Sequence, residues 1–205
     1  MEQRWQNLIG PLLFALACSA SPRELPREDQ VASWRQPGDR IDSVLSVAEY
    51  ERRFRVGLAQ PIRLADGRSS REDLARSIFG AISAGDSAAL AALMVTPAEF
   101  SWLVYPSHRY RTEPYALDPS IFWLQLQAGS AKGAGRMLER YSGDRITLST
   151  LRCEREETTT GTIVVLWAPC TATITRNGNT EEGRYFGAVV EREGRFKLLS
   201  AGNDL

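Results

Sequence analysis

The hydrophobic pattern of the chain changes near residue 145, and this change constrains the fold more than any other feature. Before it, apolar residues recur at spacings of three and four; after it, the segment 170–175 (Cys-Thr-Ala-Thr-Ile-Thr) alternates with a period of two. Asn177-Gly178 and Glu193-Gly194 are typical of hairpin turns. The sequence therefore predicts an α+β domain in which N-terminal helices precede a four-stranded antiparallel meander.

Five segments before residue 145 carry helix-start signals. Each has a short polar residue that can cap the first turn, and in two of them proline follows the cap. These cap residues are Ser46, Ser69, Asp86, Thr96 and Asp118. We expect the helix after Thr96 to end before Pro106. The helix after Asp118 is expected to reach about Tyr141 and to pack on one face of the sheet.

The long helix contains a single stripe of apolar or small side chains. Its members are Ile121, Leu124, Ala128, Ala131, Gly135 and Leu138. Three glycines in the same segment, Gly129, Gly133 and Gly135, lower the helix propensity. A break in the helix at these glycines is therefore an open alternative.

The N-terminal segment has the features of an export signal. Residues 8–17 form an apolar run that is too short to span a bilayer but long enough for the core of a signal peptide, and Arg4 precedes it. Residues 18–42 are polar and carry three prolines, as a disordered tether would. The predicted organisation is a signal peptide over residues 1–17, a tether over 18–42 and a single α+β domain over 43–205.

The motif Ala15-Leu16-Ala17-Cys18 resembles the lipobox of bacterial lipoproteins, although that family usually has leucine where Ala15 stands. The resemblance implies lipidation of Cys18. With Ser19 after the cysteine, it also implies an anchor in the outer membrane, facing the periplasm. Ala15 and Ala17 equally suit the ordinary signal peptidase. Cleavage by that enzyme would give a soluble periplasmic or secreted protein, which is the alternative.

The two remaining cysteines flank a predicted hairpin. Thr159-Thr160-Gly161 lies near the midpoint between Cys153 and Cys170, which places the two cysteines opposite each other on neighbouring strands. In an oxidising compartment, a disulfide that closes a loop of about 16 residues would contribute roughly 3 kcal/mol. Two unpaired buried thiols are the alternative.

Composition and motifs exclude several chemistries. The 25 basic and 25 acidic residues balance, which argues against a nucleic-acid binder with a large electrostatic footprint. His108 is the single histidine, so multi-histidine metal sites and HExxH proteases are excluded. There is no CxxC pair and no GxxxxGK[ST] loop. The sequence therefore predicts no metal site, no cofactor and no catalytic residues.

The best candidate for ligand binding is an aromatic and arginine-rich stretch around a long loop, residues 106–119. Long loops that mix rings with guanidinium groups often carry binding. The candidate residues are Trp102, Tyr105, His108, Arg109, Arg111, Tyr115 and Trp123. The arginines could hold a carboxylate or phosphate, or could stack on the tyrosines. The alternative for this group as a whole is packing in the core.

Helices followed by a curved antiparallel sheet resemble the nuclear transport factor 2-like fold, also called ketosteroid isomerase-like, over roughly residues 69–205. The chain departs from that family's common pattern, in which a strand pair lies between the early helices and the last one. A cystatin-like sheet with one covering helix is the neighbouring alternative. The resemblance implies a conical sheet closed by helices around a pocket. Enzymes with this fold place an acidic base and a tyrosine in the cone, and no residue of this chain matches them by motif.

These observations lead to one functional expectation and one alternative. We expect an envelope lipoprotein that binds a small molecule or an envelope partner, through a pocket or through the aromatic and arginine-rich loop, without catalysis. The alternative is a small ketosteroid isomerase-like enzyme that performs proton transfer or hydrolysis on a small hydrophobic substrate.

Overall fold

The computed structural model of the chain describes residues 45–155 and 163–202. The predicted signal peptide, Cys18 and the tether lie outside the described residues, as does the predicted turn at Thr159-Thr160-Gly161. None of the helices in the described part is long and apolar enough to cross a membrane.

Five α-helices precede the sheet. They are α1 (Val47–Phe54), α2 (Arg71–Ser83), α3 (Ser87–Ala92), α4 (Pro97–Glu99) and α5 (Pro119–Tyr141). All five predicted helices are present, and a side chain caps the first turn of each. The cap of α2 is Ser70 rather than Ser69, because the Ser70 hydroxyl accepts the hydrogen bond from Asp73 N.

Helix α4 ends before Pro106, as predicted, but the chain stays helical beyond its end. Its last turn widens into a π-helical segment, Phe100–Val104, and then tightens into a 3₁₀ turn, Tyr105–Ser107. Pro106 is tolerated there because a proline in the first turn of a helical segment removes no hydrogen bond. A second 3₁₀ turn, Arg109–Arg111, follows directly.

The second half of the chain forms one antiparallel sheet. Its strands are β1 (Ile146–Arg155), β2 (Val164–Arg176), β3 (Asn179–Arg192) and β4 (Arg195–Ala201), and they pair in chain order. The hairpin turns fall at the predicted dipeptides, where Asn177, Gly178, Glu193 and Gly194 all have positive φ. The α+β class and the four-stranded meander are therefore confirmed.

The predicted disulfide is also present. Cys153 and Cys170 are direct partners in the register of β1 and β2, with 4.1 Å between their Cα atoms. Cys170 is fully buried, whereas Cys153 packs at the margin of the core. The bond therefore joins an edge strand to an inner strand of the sheet.

The core has two parts. One lies between α2, the C-terminal half of α5 and the sheet, and it contains the packed rings of Phe79, Tyr141, Tyr185 and Phe186. The other surrounds Phe100, which contacts the rings of Phe54, Tyr105, Phe122 and Trp123. In both parts, side chains fill the space between the helices and the sheet.

Helix α5 packs on the sheet as predicted, but through a face other than the apolar stripe. Its buried residues are Pro119, Phe122, Ser130, Gly133, Met137 and Tyr141. Ser130 Oγ accepts a hydrogen bond from Ala201 N, and Gly133 lies directly against the backbone of Gly202. The helix is continuous through all three glycines, so the break does not occur. Most of the apolar stripe instead faces outward.

Candidate functional site

An apolar groove runs along α5, and we call it the α3–α5 groove. Its volume is about 560 Å³, within the range of small-molecule sites. One wall is the end of α3 and the segment that leads to α4. The other wall is α5, and Leu199 of β4 lies between them. The wall residues are Ala91, Met94, Val95, Thr96 and Pro97 on one side, and Trp123, Leu124, Gln127, Ala128 and Ala131 on the other.

The walls of the groove are held in place by backbone and ring contacts. Val95 N donates a hydrogen bond to Leu198 O, and Met94 forms a bridge with Leu198, so the segment after α3 is fixed to the edge of β4. On the other side, the ring of Trp123 lies 5.1 Å from that of Phe100. The groove is thus preformed by the fold.

The lining of the groove is almost entirely apolar. No charged side chain is among its described lining residues, and two of its polar groups are already used. Thr96 Oγ1 accepts from Glu99 N, and Ser130 Oγ accepts from Ala201 N. Gln127 is therefore the exposed polar side chain beside an apolar surface. Such a site suits an uncharged apolar molecule with at most one or two polar groups.

A second cavity of about 470 Å³ lies on the opposite side of α5, above the sheet. It is more polar, and Arg184 contributes a charged side chain to its rim. Tyr110 and Phe122 close one end, while Gly187 and Ser200 contribute to the sheet side. The chemistry of this cavity is mixed, in contrast to the uniform lining of the α3–α5 groove.

Two of the predicted ligand-binding residues belong to the core region around Phe100. Tyr105 is fully buried, and its hydroxyl donates to Leu117 O at 2.6 Å. Burial raises the pKa of Tyr105 to about 12, with the negative charge of Glu51 acting in the same direction. The guanidinium of Arg55 lies 4.0 Å from the ring centre of Trp102. The indole Nε1 of Trp102 is buried and has no hydrogen-bond partner among the described residues.

His108 is also buried. Its ring lies 4.7 Å from that of Phe122, and its Nδ1 accepts a hydrogen bond from Tyr110 N at 3.2 Å. Burial lowers the pKa of His108 to about 4, and the positive charge of Arg109 adds to the effect. The imidazole is therefore neutral at physiological pH and acts here as a cap for the Arg109–Arg111 turn.

The remaining candidates do not converge on one point. Arg109 lies over the ring of Tyr110 at 5.1 Å, and Arg111 Nε donates to Glu51 Oε1 at 2.6 Å, which ties the loop to α1. Tyr115 is exposed, and Trp123 lines the α3–α5 groove. Of the seven predicted residues, Trp123 alone is among the groove's wall residues. Ligand binding by the other six stays a prediction.

The wall residues that the sequence did not indicate run from the end of α3 to the start of α4, residues 91–97. The alanine-rich sequence of α3 and the capping motif that follows it contain no pattern that indicates a cavity wall. The one usable signal was the apolar stripe on α5, because a stripe turned away from the sheet must face solvent or a ligand.

Two carboxyl groups in the described part of the chain have shifted pKa values, and possible metal ligands are not clustered there. The described residues contain no group of three or more histidine, cysteine, aspartate or glutamate side chains that could hold a metal ion. The carboxyl groups of Glu49 and Asp144 have lowered pKa values. Arg52 is the main cause for Glu49; for Asp144 it is the side-chain amide of Asn177, followed by Arg176.

Searches for similar proteins returned no match to this chain among protein-family models, curated proteins or solved structures.

Proposed function

We propose that this chain is an envelope lipoprotein whose folded domain binds a small apolar molecule in the α3–α5 groove without catalysing a reaction. The observation that carries the proposal is the groove itself, which is preformed, of ligand size and lined by apolar side chains. Exposed apolar surface of this kind is unfavourable in water unless something binds to it.

Two features support the envelope location: the N-terminal segment around Cys18 and the Cys153–Cys170 disulfide. Cys18 follows a short apolar run and precedes a polar, proline-bearing segment, as in an anchored lipoprotein. A disulfide persists in oxidising compartments such as the periplasm, and the Cys153–Cys170 bond fits that location. We place the domain at the outer membrane, facing the periplasm, with a soluble periplasmic form as the alternative.

The architecture supports a nuclear transport factor 2-like interpretation. In that interpretation α5 and α2 are the helices that close one face of the curved sheet. The interior beneath them is filled by Phe79, Tyr141, Tyr185 and Phe186, so a ligand would bind beside α5 and not in the cone. An envelope protein is a second kind of partner that the same apolar face could accept.

The enzyme alternative lacks a suitable acid in the described residues. A general base in an apolar site would need a carboxyl group with a raised pKa near a tyrosine. Glu99 is fully buried, but Lys197 neutralises its charge and two backbone N–H groups donate hydrogen bonds to it. Glu51 is buried as well, and its partners are Arg55 and Arg111. Both carboxylates are thus engaged in structure.

Binding can be tested with N-phenyl-1-naphthylamine, an uncharged apolar fluorophore that brightens in dry sites. The full chain should bind it with saturable fluorescence. Ala91→Trp places an indole in the groove from the α3 side and should weaken binding by at least about tenfold, which is roughly 1.4 kcal/mol.

The matched control is Ala88→Trp. Ala88 is also an exposed alanine of α3, but it is not a wall residue of the groove. This variant should bind the fluorophore like the unchanged chain. Equal binding by all three proteins, or no saturable binding by any, would refute the proposed site. Native mass spectrometry of the protein extracted from its own membrane would then identify the natural ligand and show whether Cys18 carries lipid.

A further inference from the structure

The outward face of α5 is unusual for a helix at a protein surface. Ile121 is 47% exposed and Leu124 67% exposed. The segment 119–131 contains no charged residue, and Lys132 is the first charge along the helix. A helix packed on a sheet normally turns charged and polar side chains toward water. This face is therefore built for contact with something other than solvent.

The spacing of the outward residues indicates a helical partner. Ile121, Leu124, Ala128, Ala131 and Gly135 follow one another at intervals of three, four, three and four residues. This is the pattern of a seam between two packed helices. The seam is bulky in its first half and small in its second half, so a second helix could approach closely only over the small half.

We infer that this seam joins two copies of the chain, which pack through α5 in antiparallel orientation. A two-fold axis near residue 126 places Leu124 of each copy against Ala128 of the other. The same axis places Ile121 against Ala131. Bulky side chains then meet small ones along the whole contact, which is the self-complementarity that a two-fold interface requires.

Charge complementarity supports the same axis. Asp118 caps the start of α5, and Lys132 lies on the same side of the seam four turns later. The midpoint of these two residues is residue 125, one residue from the axis that pairs Leu124 with Ala128, so that axis also brings Asp118 of one copy toward Lys132 of the other. The contact would thus be flanked by two symmetric ion pairs, and no like charges would face each other between them.

A second copy explains this face better than a membrane does. Three of the five seam residues are alanine or glycine, which offer little apolar area to lipid. The surface beside it is concave, whereas an interfacial helix presents a convex apolar face to the bilayer. Small residues do favour close helix–helix approach. Three seam residues, Leu124, Ala128 and Ala131, also line the α3–α5 groove, so a second copy and a ligand would share this wall. Self-association can nevertheless be measured without ligand.

Sedimentation velocity of the full chain, extracted in a density-matched mild detergent, tests the inference. The protein should form a dimer that dissociates on dilution. Leu124→Glu should raise the dimer dissociation constant by about 30-fold or more, because it places a charge in the seam. The control is Ile62→Glu, an 89% exposed residue away from α5, which should leave the constant unchanged.

Cross-linking tests the orientation independently. In the antiparallel pair, the two copies of Gln125 lie close together at the axis. The two copies of Glu139 lie roughly 40 Å apart along the helices. A short bis-maleimide should therefore link Gln125→Cys chains to each other and fail with Glu139→Cys, as mapped by peptide mass spectrometry.

Three results would overturn the inference: a chain that stays monomeric, a dimer unaffected by Leu124→Glu, and efficient cross-linking at Glu139→Cys. Binding to vesicles of phosphatidylethanolamine and phosphatidylglycerol that is lost in Leu124→Glu, without dimerisation, would assign the face to the membrane and refute the dimer. These measurements use the chain without ligand and without the Ala91→Trp substitution, so a failure of the ligand proposal would not affect them.

Discussion

Glu99 and Lys197 form a fully buried ion pair that connects α4 to β4, with 2.9 Å between Glu99 Oε2 and Lys197 Nζ. The two carboxylate oxygens also accept hydrogen bonds from Ala65 N and Thr96 N. One glutamate therefore completes the capping box of α4, fixes the connector before α2 and neutralises the buried lysine. The pair lies beneath the segment that forms one wall of the α3–α5 groove.

Lys197→Met should destabilise the domain by about 3–5 kcal/mol, because it leaves the buried Glu99 carboxylate without its counter-charge. Urea unfolding, followed by circular dichroism, measures the loss. Arg152→Met is the control. It breaks the Arg152–Glu182 pair, whose side chains are both more than half exposed, and should cost no more than about 1 kcal/mol.

The double variant Lys197→Met with Glu99→Gln should recover part of that loss. The amide oxygen can accept from only one of the two N–H groups that the carboxylate held, those of Ala65 and Thr96, so the recovery is incomplete, but no unpaired charge is left in the core. If the double variant is less stable than Lys197→Met alone, the destabilisation does not come from an unpaired carboxylate.

Removal of the disulfide should cost about 3 kcal/mol, because the bond between Cys153 and Cys170 closes a loop of about 16 residues in the unfolded chain. The experiment compares urea midpoints of the unchanged chain with and without dithiothreitol. The variant Cys153→Ala with Cys170→Ala should match the reduced protein and should not respond to the reductant. A reductant-insensitive midpoint in the unchanged chain would contradict a stabilising bond.

The sheet was predictable because its determinants are local. Asn177-Gly178 and Glu193-Gly194 adopt the positive φ values that such dipeptides tolerate, and the alternation of β2 places Cys170 opposite Cys153. Helix starts were predictable for the same reason, since a cap and its first-turn partners are at most three residues apart. Among the five caps, only that of α2 was predicted one residue too early, at Ser69 instead of the adjacent Ser70.

The packed face of α5 was not predictable from its periodicity. The most apolar stripe of the helix faces outward, and the buried face includes a serine and a glycine. Both are needed because the end of β4 approaches the helix backbone, with Gly133 against Gly202 and Ser130 bonded to Ala201. A tertiary contact of this kind leaves no trace in a hydrophobic pattern. The groove could not be predicted for a similar reason, because its α3 wall shows no periodic apolar pattern.

Two glycines of α5 offer a direct test of this packing. A Cβ at Gly133 would collide with the carbonyl oxygen of Gly202 and lie 3.1 Å from Ala201 Cβ, whereas a Cβ at Gly135 would meet nothing within 4 Å. Gly133→Ala should therefore destabilise the domain by about 1–3 kcal/mol. Gly135→Ala should stabilise it by about 0.5–1 kcal/mol, because alanine has the higher helix propensity. Urea unfolding of both variants measures the difference, and equal effects would mean that α5 does not pack through Gly133.

The roles of the residues in the aromatic and arginine-rich loop were also not predictable from the sequence. The composition correctly indicated a dense group of rings, but it could not separate packing from binding. Phe100, which the sequence did not single out, is the ring around which Tyr105 and Trp123 are arranged. Glu51 of α1, more than 50 residues away in sequence, holds Arg111.

Burial of His108 should make the stability of the domain depend on pH. The pKa of His108 is about 4 in the folded chain, against about 6.5 for an unfolded histidine, so the unfolded state binds more protons between these values. Stability is then complete above about pH 6.5 and falls as the pH decreases toward 4, by about 2 kcal/mol from pH 7.5 to pH 5. His108→Asn keeps an acceptor for Tyr110 N but does not titrate, so it should be less stable at neutral pH and lose much less on acidification. Urea unfolding at pH 7.5 and pH 5 measures the free energy of unfolding of the unchanged chain and of His108→Asn. An equal loss in the two proteins would show that His108 is not the titrating group.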